Sequence, residues 1–421
     1  MAPQRRDPYA RRRPTATVDA MTPVEDLPTA DPTWHPVVGT PDRAAQHERP
    51  APHRLARVGL LRDLERPADV FSSIGPNWYA SIMGTGIVGG AAASLPVQLP
   101  GLRVGATAMW ALASVLLVAL TGAWVVHGVC HPARARAHAT DPVMAQFWGA
   151  PAMGLMTVGA GAIQLGGPVI GTTAAVTVGW VLWSLGTALG LVTTAWIPYM
   201  MITRHEIGPD GAFGGWFMPV VPPMVSAADG ALLLPHLAAG TGKETLLLAC
   251  YAMVGISLVC ALALLPQIWN KLVVHGVGQP ATVPTMWIVL GVFGQSITAV
   301  NLLGNQAAGV LPAPYATGAA VLGLLYGVPA WGFAMIWIAL SAAVTVRTAR
   351  DGLPFALTWW SFTFPVGTCV TGTSALAART HLPAFAGAAV ALYVLLVAAW
   401  AVVAVRTAHG SVIRGHLLAP A

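Results

Sequence analysis

The chain has 421 residues, 55% of them hydrophobic and only 9% charged, against roughly a quarter charged in soluble domains. The basic residues are crowded, eleven of the twenty-two lying before Pro67. This balance excludes an ordinary soluble domain, and the apolar runs are too long and unbroken for the alternating strands of a barrel, so an all-α polytopic membrane protein is expected.

Residues 1–66 are rich in Pro, Arg, Asp and Ala with almost no aliphatic cluster, and read as a disordered cytoplasmic tail. "RRDPYARRR" carries the charge of a targeting signal, but no apolar run follows it, so a cleaved signal peptide is not expected. The tail suits anionic lipid, with no nucleic-acid partner. "HRLARVGLLRDLER" at 53–66 has the pattern of a short amphipathic surface helix. From 67 to 407, windows of about 20 apolar residues place ten helices. They lie near 74–95, 104–129, 147–166, 172–200, 216–236, 245–268, 284–307, 325–346, 354–376 and 384–405, and residues 408–421 form a second cytoplasmic tail. With both termini inside the plasma membrane, the outer segments hold three Lys/Arg (Arg103, Lys243 and Arg379) and the inner ones nineteen. That asymmetry is the positive-inside pattern.

Odd-numbered spans each begin near a proline: Pro76, Pro151, Pro219, Pro284 and Pro354, spaced 65 to 75 residues apart. A period of one helical hairpin suggests five repeated units, although proline also suits the first turn of any helix. Pro76, Pro151, Pro219, Pro222, Pro284 and Pro365 are the expected kink positions. Pro365 cannot bond the Ser361 carbonyl, so a bend is expected beside Phe364.

The odd spans also carry polar stripes. The candidate pore-lining residues are Ser81 and Thr85, then Thr157 and Gln164, then Ser226 and Asp229. Gln295, Thr298 and Asn301 follow in the seventh span, and Ser361, Thr368 and Thr371 in the ninth, where Phe364 shares their face. Small and hydroxyl residues also serve helix–helix contact in membranes. Five such stripes on alternate helices nevertheless favour one shared central lining, with ten helices as five hairpins in a quasi-fivefold ring. Five helices with neighbours ~9.5 Å apart put each axis ~8 Å from the centre. Subtracting a helix radius of ~5 Å leaves an opening of ~3 Å radius, which one phenyl ring would close.

No Lys or Arg falls mid-span in an odd helix, and Asp229 is the one intramembrane acid. A cation path would more often show a ring of acids. An anion path without fixed positive charge is physically sensible, since a helix-centre Arg costs roughly 2.5–3.5 kcal/mol. Composition alone leaves the sign of the ion open. Asp229 reads either as a titrating group of a proton-coupled carrier or as an acid near the outer end of its span, paired with His236. The four cysteines form no close-spaced pair, so neither disulfide nor zinc is indicated. No reactive constellation of an enzyme is present, and no metal or cofactor is expected. A non-transporting membrane sensor is the remaining reading.

"GPNWYASIMGTGIV", "WFMPVVPPMVSAADG", "GVFGQSITAVN" and "WWSFTFPVG" resemble the signature segments of the tellurite-resistance/dicarboxylate transporter family. That family joins bacterial tellurite-resistance proteins, the fungal malate permease and sulfite pump, and plant slow anion channels. The likeness runs from about residue 68 to 407. It implies ten helices in a quasi-fivefold ring of hairpins, one pore per subunit and a homotrimer. Small anions such as C4-dicarboxylates, sulfite or chloride are the implied cargo, and a phenylalanine of the ninth helix the plug. The family's aromatic–polar–Phe arrangement puts that plug at Phe364, the residue the helical face also selects. Pro365 stands where the bacterial member has glycine, which sets this chain nearer the malate and sulfite branch.

Overall fold

The computed structural model describes residues 60–62, 64 and 67–418. The disordered reading of 1–66, and most of the surface helix expected at 53–66, fall outside the described residues. Leu60–Arg62 form a bend and turn rather than a helix, with Leu61 at φ 59°. The Leu61 and Arg62 amides donate to Val412 and Ile413 near the other end of the chain, and Leu64 packs with Ile74, Trp78 and Leu418.

Helices dominate, and no strand occurs among the described residues. In chain order they are α1 (Tyr79–Ser94), α2 (Leu102–Cys130), α3 (Pro132–Thr140), α4 (Gly149–Gly161), α5 (Gly167–Ile170), α6 (Thr172–Thr203), α7 (Pro222–Leu233), α8 (Thr241–Val274), α9 (Val289–Ala307), α10 (Ala313–Gly352), α11 (Phe364–Thr380) and α12 (Pro383–Ala408). A π-helical turn at Ala162–Gly166 joins α4 to α5, and another at His409–Arg414 continues α12.

Burial divides the helices into two sets. In the most apolar stretch of the Pro280–Ala307 segment 94% of residues are buried, and 61% in that of Met144–Ile170; the corresponding stretches of α2, α6, α8, α10 and α12 range from 17% to 33%. The inner set is α1, α4, α7, α9 and α11. Each packs on its successor, and α11 packs back on α1. Each inner helix also packs on the long helix that follows it: α1 on α2, α4 on α6, α7 on α8, α9 on α10 and α11 on α12. The exposed flanks of the long helices are Val-, Leu- and Ile-rich, as in Val115, Val118, Leu185, Val259, Leu325 and Val394. Contact with hydrocarbon explains that surface, which would be an aggregation hazard in water.

Among the described residues seven helical segments are long and apolar enough to cross a membrane, so the chain is a multi-pass membrane protein. The other inner helices are shorter than the sequence windows suggest: α1 has 16 residues, α7 has 12 and α11 has 17. Proline and glycine account for the difference. Each short helix is preceded by a 3₁₀ segment, at Pro76–Trp78, Gly214–Phe217 and Leu357–Phe362. The outer helices overrun their windows instead. α10 extends over 40 residues, about 60 Å at 1.5 Å per residue, because a helix continues past the point where hydropathy stops.

The six expected kink prolines are better described as start signals. Pro76, Pro222 and Pro365 occupy the first positions of their helices, Pro151 the first turn of α4, Pro219 the turn before α7, and Pro284 lies inside the 3₁₀ segment Pro280–Ile288. A missing N–H costs nothing where no intrahelical partner exists. The prolines that do interrupt helices are Pro198, Pro266 and Pro329, all in the outer set.

Candidate functional site

The inner helices enclose a cavity of about 230 Å³. Its polar lining comes from all five: Ser94 of α1, Thr157 of α4 with Gln164 of the following π turn, Asp229 of α7, Gln295, Thr298 and Asn305 of α9, and Thr371 and Ser374 of α11. Phe364, the first residue of α11, lines it as well. A second cavity of about 30 Å³ also touches Phe364, and its other walls come from Met83, Met153, Met218, Ile288 and Trp360, with Ser361 as the one hydroxyl. The walls of this smaller space come from the beginnings of the inner helices and the segments before them, those of the larger space from farther along. Phe364, only 5% exposed, therefore stands between the two.

Local backbone fixes that position. The 3₁₀ segment Leu357–Phe362 ends at Thr363, where φ is −104° and ψ −75°, and α11 starts on the next residue. The expected bend beside Phe364 is thus a change of helix type. The Thr363 hydroxyl donates to the Trp360 carbonyl at 2.6 Å, and Trp360 donates from Nε1 to Thr407 of α12 at 3.1 Å. Gly84 of α1 faces Thr363 and the Trp360 ring so closely that any Cβ there would collide with them.

Seven of the thirteen gate and lining candidates reach the larger cavity: Thr157, Gln164, Asp229, Gln295, Thr298, Phe364 and Thr371. Ser361 lies on the other side of Phe364. The rest are turned into helix contacts. Ser81 donates to the Trp78 carbonyl, Thr85 accepts from Trp400 Nε1, and the Ser226 and Thr187 hydroxyls bond each other. Thr368 donates to the Pro365 carbonyl. Asn301 donates to the Ile297 and Gly323 carbonyls and accepts from Arg379 Nε at 2.6 Å. A helix packed on both sides shows a cavity only a narrow strip, so a stripe of about 120° must leave its flanks in contacts. Ser374, missed in the sequence, follows Thr371 by three residues, one helical turn along the same strip.

The hydroxyl protons facing the cavity are largely committed. Thr157 donates to Met153 O at 2.8 Å, Thr371 to Thr368 O at 3.0 Å, and Thr298 shares a 2.7 Å bond with Thr371. Three buried atoms of lining side chains have no protein partner among the described residues: Asp229 Oδ2, Gln295 Oε1 and Ser374 Oγ. His236 is exposed and makes no ion pair with Asp229, so the expected pairing is replaced by a lone acid. Among the described residues no Lys, Arg or His lines the cavity. Two arginines bond lining residues from outside: Arg103 donates to the Gln164 carbonyl, and Arg379 ties α11 to Asn301, Asn305 and the Ala320 carbonyl of α10.

Buried inner helices, an apolar outer layer and a partly polar interior are the arrangement of a membrane transporter or channel. Residues 73–408 match the voltage-dependent anion channel family, and the chain belongs to it. It is 26% identical over 363 residues to an uncharacterized transporter of Methanocaldococcus jannaschii, covering 85% of this chain and 100% of the relative. It is 28% identical over 320 residues to a sulfite efflux pump of Trichophyton rubrum, covering 75% of this chain and 84% of the relative. A sulfite efflux pump of Candida albicans is 24% identical over 330 residues, covering 71% of this chain and 65% of the relative.

Proposed function

We propose that the protein moves small anions across the plasma membrane through a central pore that Phe364 opens and closes. The observation that carries this reading is the place of Phe364 between a larger cavity with polar walls and a smaller apolar one. An apolar constriction stops ions by excluding the water that would hydrate them. Ten crossings arranged as five hairpins in a quasi-fivefold ring, with both termini cytoplasmic, fit the cyclic packing of the inner helices. The short inner helices complete their crossings with the 3₁₀ segments at their starts. Family resemblance supports a homotrimer embedded in lipid, each subunit with its own pore.

The cargo is a sulfite-type inorganic anion, chloride or a C4-dicarboxylate such as malate. Sulfite efflux pumps among the relatives support the first. The test is release of malate, succinate, sulfite, nitrate and chloride from preloaded proteoliposomes holding the purified full chain. Flux of at least one anion above protein-free vesicles is expected, and none for any of them would refute the reading.

A second mechanism, proton-coupled symport through Asp229, draws support from its partnerless carboxyl in the cavity wall. Asp229→Asn should then abolish the pH dependence of uptake. Retention of that dependence removes Asp229 from the coupling.

A further inference from the structure

The larger cavity is lined by side chains whose hydrogen-bonding groups are unevenly spent. Its threonine hydroxyls spend their protons on carbonyls or on each other, leaving lone pairs toward the space. Asp229, 9% exposed, and Gln295, 5% exposed, each hold a buried acceptor atom with no protein partner, and the buried Ser374 hydroxyl is equally unmatched. A buried polar atom without a partner is costly, so three at one cavity mark a place where a ligand or water supplies the missing bonds. Donors also remain: the Ser374 O–H and the amide N–H groups of Gln295 and Asn305 can hold an anion's oxygens. With no basic side chain in the wall among the described residues, a bare anion would find little compensation and would face an acid.

We infer that Asp229, Gln295 and Ser374 form a selectivity site for small oxyanions that themselves carry an O–H donor. In this site Ser374 and the Gln295 amide donate to the anion's oxygens, and the ligand's O–H donates to Asp229. Hydrogen sulfite and hydroxy acids belong to this class, whereas chloride, nitrate and simple carboxylates do not. The inference rests on the proposed anion transport and specifies its substrate class.

Glycolate and acetate differ by one hydroxyl and form a matched pair. Initial efflux of each from proteoliposomes of the full chain, corrected for protein-free vesicles, gives a glycolate-to-acetate ratio; hydrogen sulfite and nitrate give a second. Both ratios should exceed one in wild type. In Asp229→Leu both should fall about tenfold, the loss of one charged hydrogen bond, and in Gln295→Leu they should fall too. Asp229→Asn keeps an acceptor oxygen and should recover part of the preference. Wild-type ratios of one, or ratios unmoved by Asp229→Leu in protein that still transports acetate, overturn the site. If Asp229→Leu yields no folded protein, an unchanged ratio in Gln295→Leu overturns it equally. Absence of flux for every anion in wild type instead overturns the transport reading on which the site depends.

Discussion

Replacing Phe364 with alanine tests the proposed gate separately from the rest of the proposed pore. The phenyl ring separates spaces of about 230 and 30 Å³, so its removal joins them across the opening of ~3 Å radius that five packed helices leave. An ion crossing the intact ring exchanges hydration for an apolar wall. Even after relaxation, burying an unpaired charge costs several kcal/mol. Taking ~3 kcal/mol as the part that the ring imposes, Phe364→Ala should raise flux per molecule about a hundredfold. Folding should survive. Phe→Ala in a filled core costs about 3–5 kcal/mol, but this ring borders open space on two sides, so the low end applies. The backbone that aims the ring depends on the Thr363–Trp360–Thr407 bonds, which the substitution leaves in place.

The measurement is anion current across planar bilayers, with Phe364→Leu as an intermediate plug and Phe362→Ala as a control. Phe362 packs edge-on against Trp287 at 5.5 Å and against Trp359 at 5.7 Å and lines neither cavity. Its loss should lower the melting temperature without opening the pore. A Phe364→Ala protein with wild-type melting and wild-type current would refute the gate. Equal increases from both alanines would show that any loosening of this segment suffices and that the ring itself is not the plug.

Further outcomes follow from individual contacts. Gly294→Ala should destabilise by about 1–3 kcal/mol, because a Cβ there meets the Thr368 hydroxyl and the Cys369 backbone nitrogen at 2.5 and 2.6 Å; thermal unfolding in detergent reads the shift, and an unchanged melting temperature contradicts the close packing of α9 on α11. Arg379→Leu removes the bonds to Asn301 and Asn305 and should cost about 1.5–3 kcal/mol for the charged pairings lost. An equally stable variant would show that this end of α11 is held by packing alone. His138 of α3 is kept below the ordinary imidazole value by burial and then by His127, partly offset by Asp141. The undocked segment therefore binds a proton more readily, so docking of α3 is firm at neutral pH and weakens as pH falls through the imidazole range. Hydrogen exchange of α3 amides, corrected for intrinsic rate, should be faster at about pH 5.5 than at about pH 7.5, and equal protection at both would contradict it.

Much of this architecture was legible because two signals are strong in a membrane chain. A long apolar run marks a helix fit to cross a membrane whatever its neighbours, so the five outer helices were all found, shortened only where they leave the apolar slab. Polar residues recurring on every second helix marked the inner set. The inner boundaries were less legible, since proline and glycine permit both an α-helical first turn and a 3₁₀ lead-in. Pro222 begins α7 only after the 3₁₀ turn Gly214–Phe217, and nothing in "WFMPVVPP" separates those outcomes. Phe364 could be selected because it shares an arc with hydroxyls, whereas Phe362, two residues away, points into Trp287 and Trp359.

Side-chain hydrogen bonding was the least legible layer, and it bears most on function. Counting hydroxyls along a stripe treats every Thr and Ser as a donor available to a passing anion. In the folded chain Thr157 and Thr371 give their protons to carbonyls of their own helices, as hydroxyls in hydrocarbon commonly do. Most of the stripe thereby becomes a wall of acceptors. That reverses the naive electrostatic reading: the wall alone is hospitable to donors, and Asp229 adds to the effect. An anion pathway with such a wall must draw stabilisation from the few donors left unspent, Ser374 and the Gln295 and Asn305 amides. Carrying its own proton lets the anion satisfy acceptors that would otherwise repel it. On the proposed selectivity site, the choice of cargo hinges on where three buried atoms lack partners, a property fixed by helix register and rotamer rather than by composition.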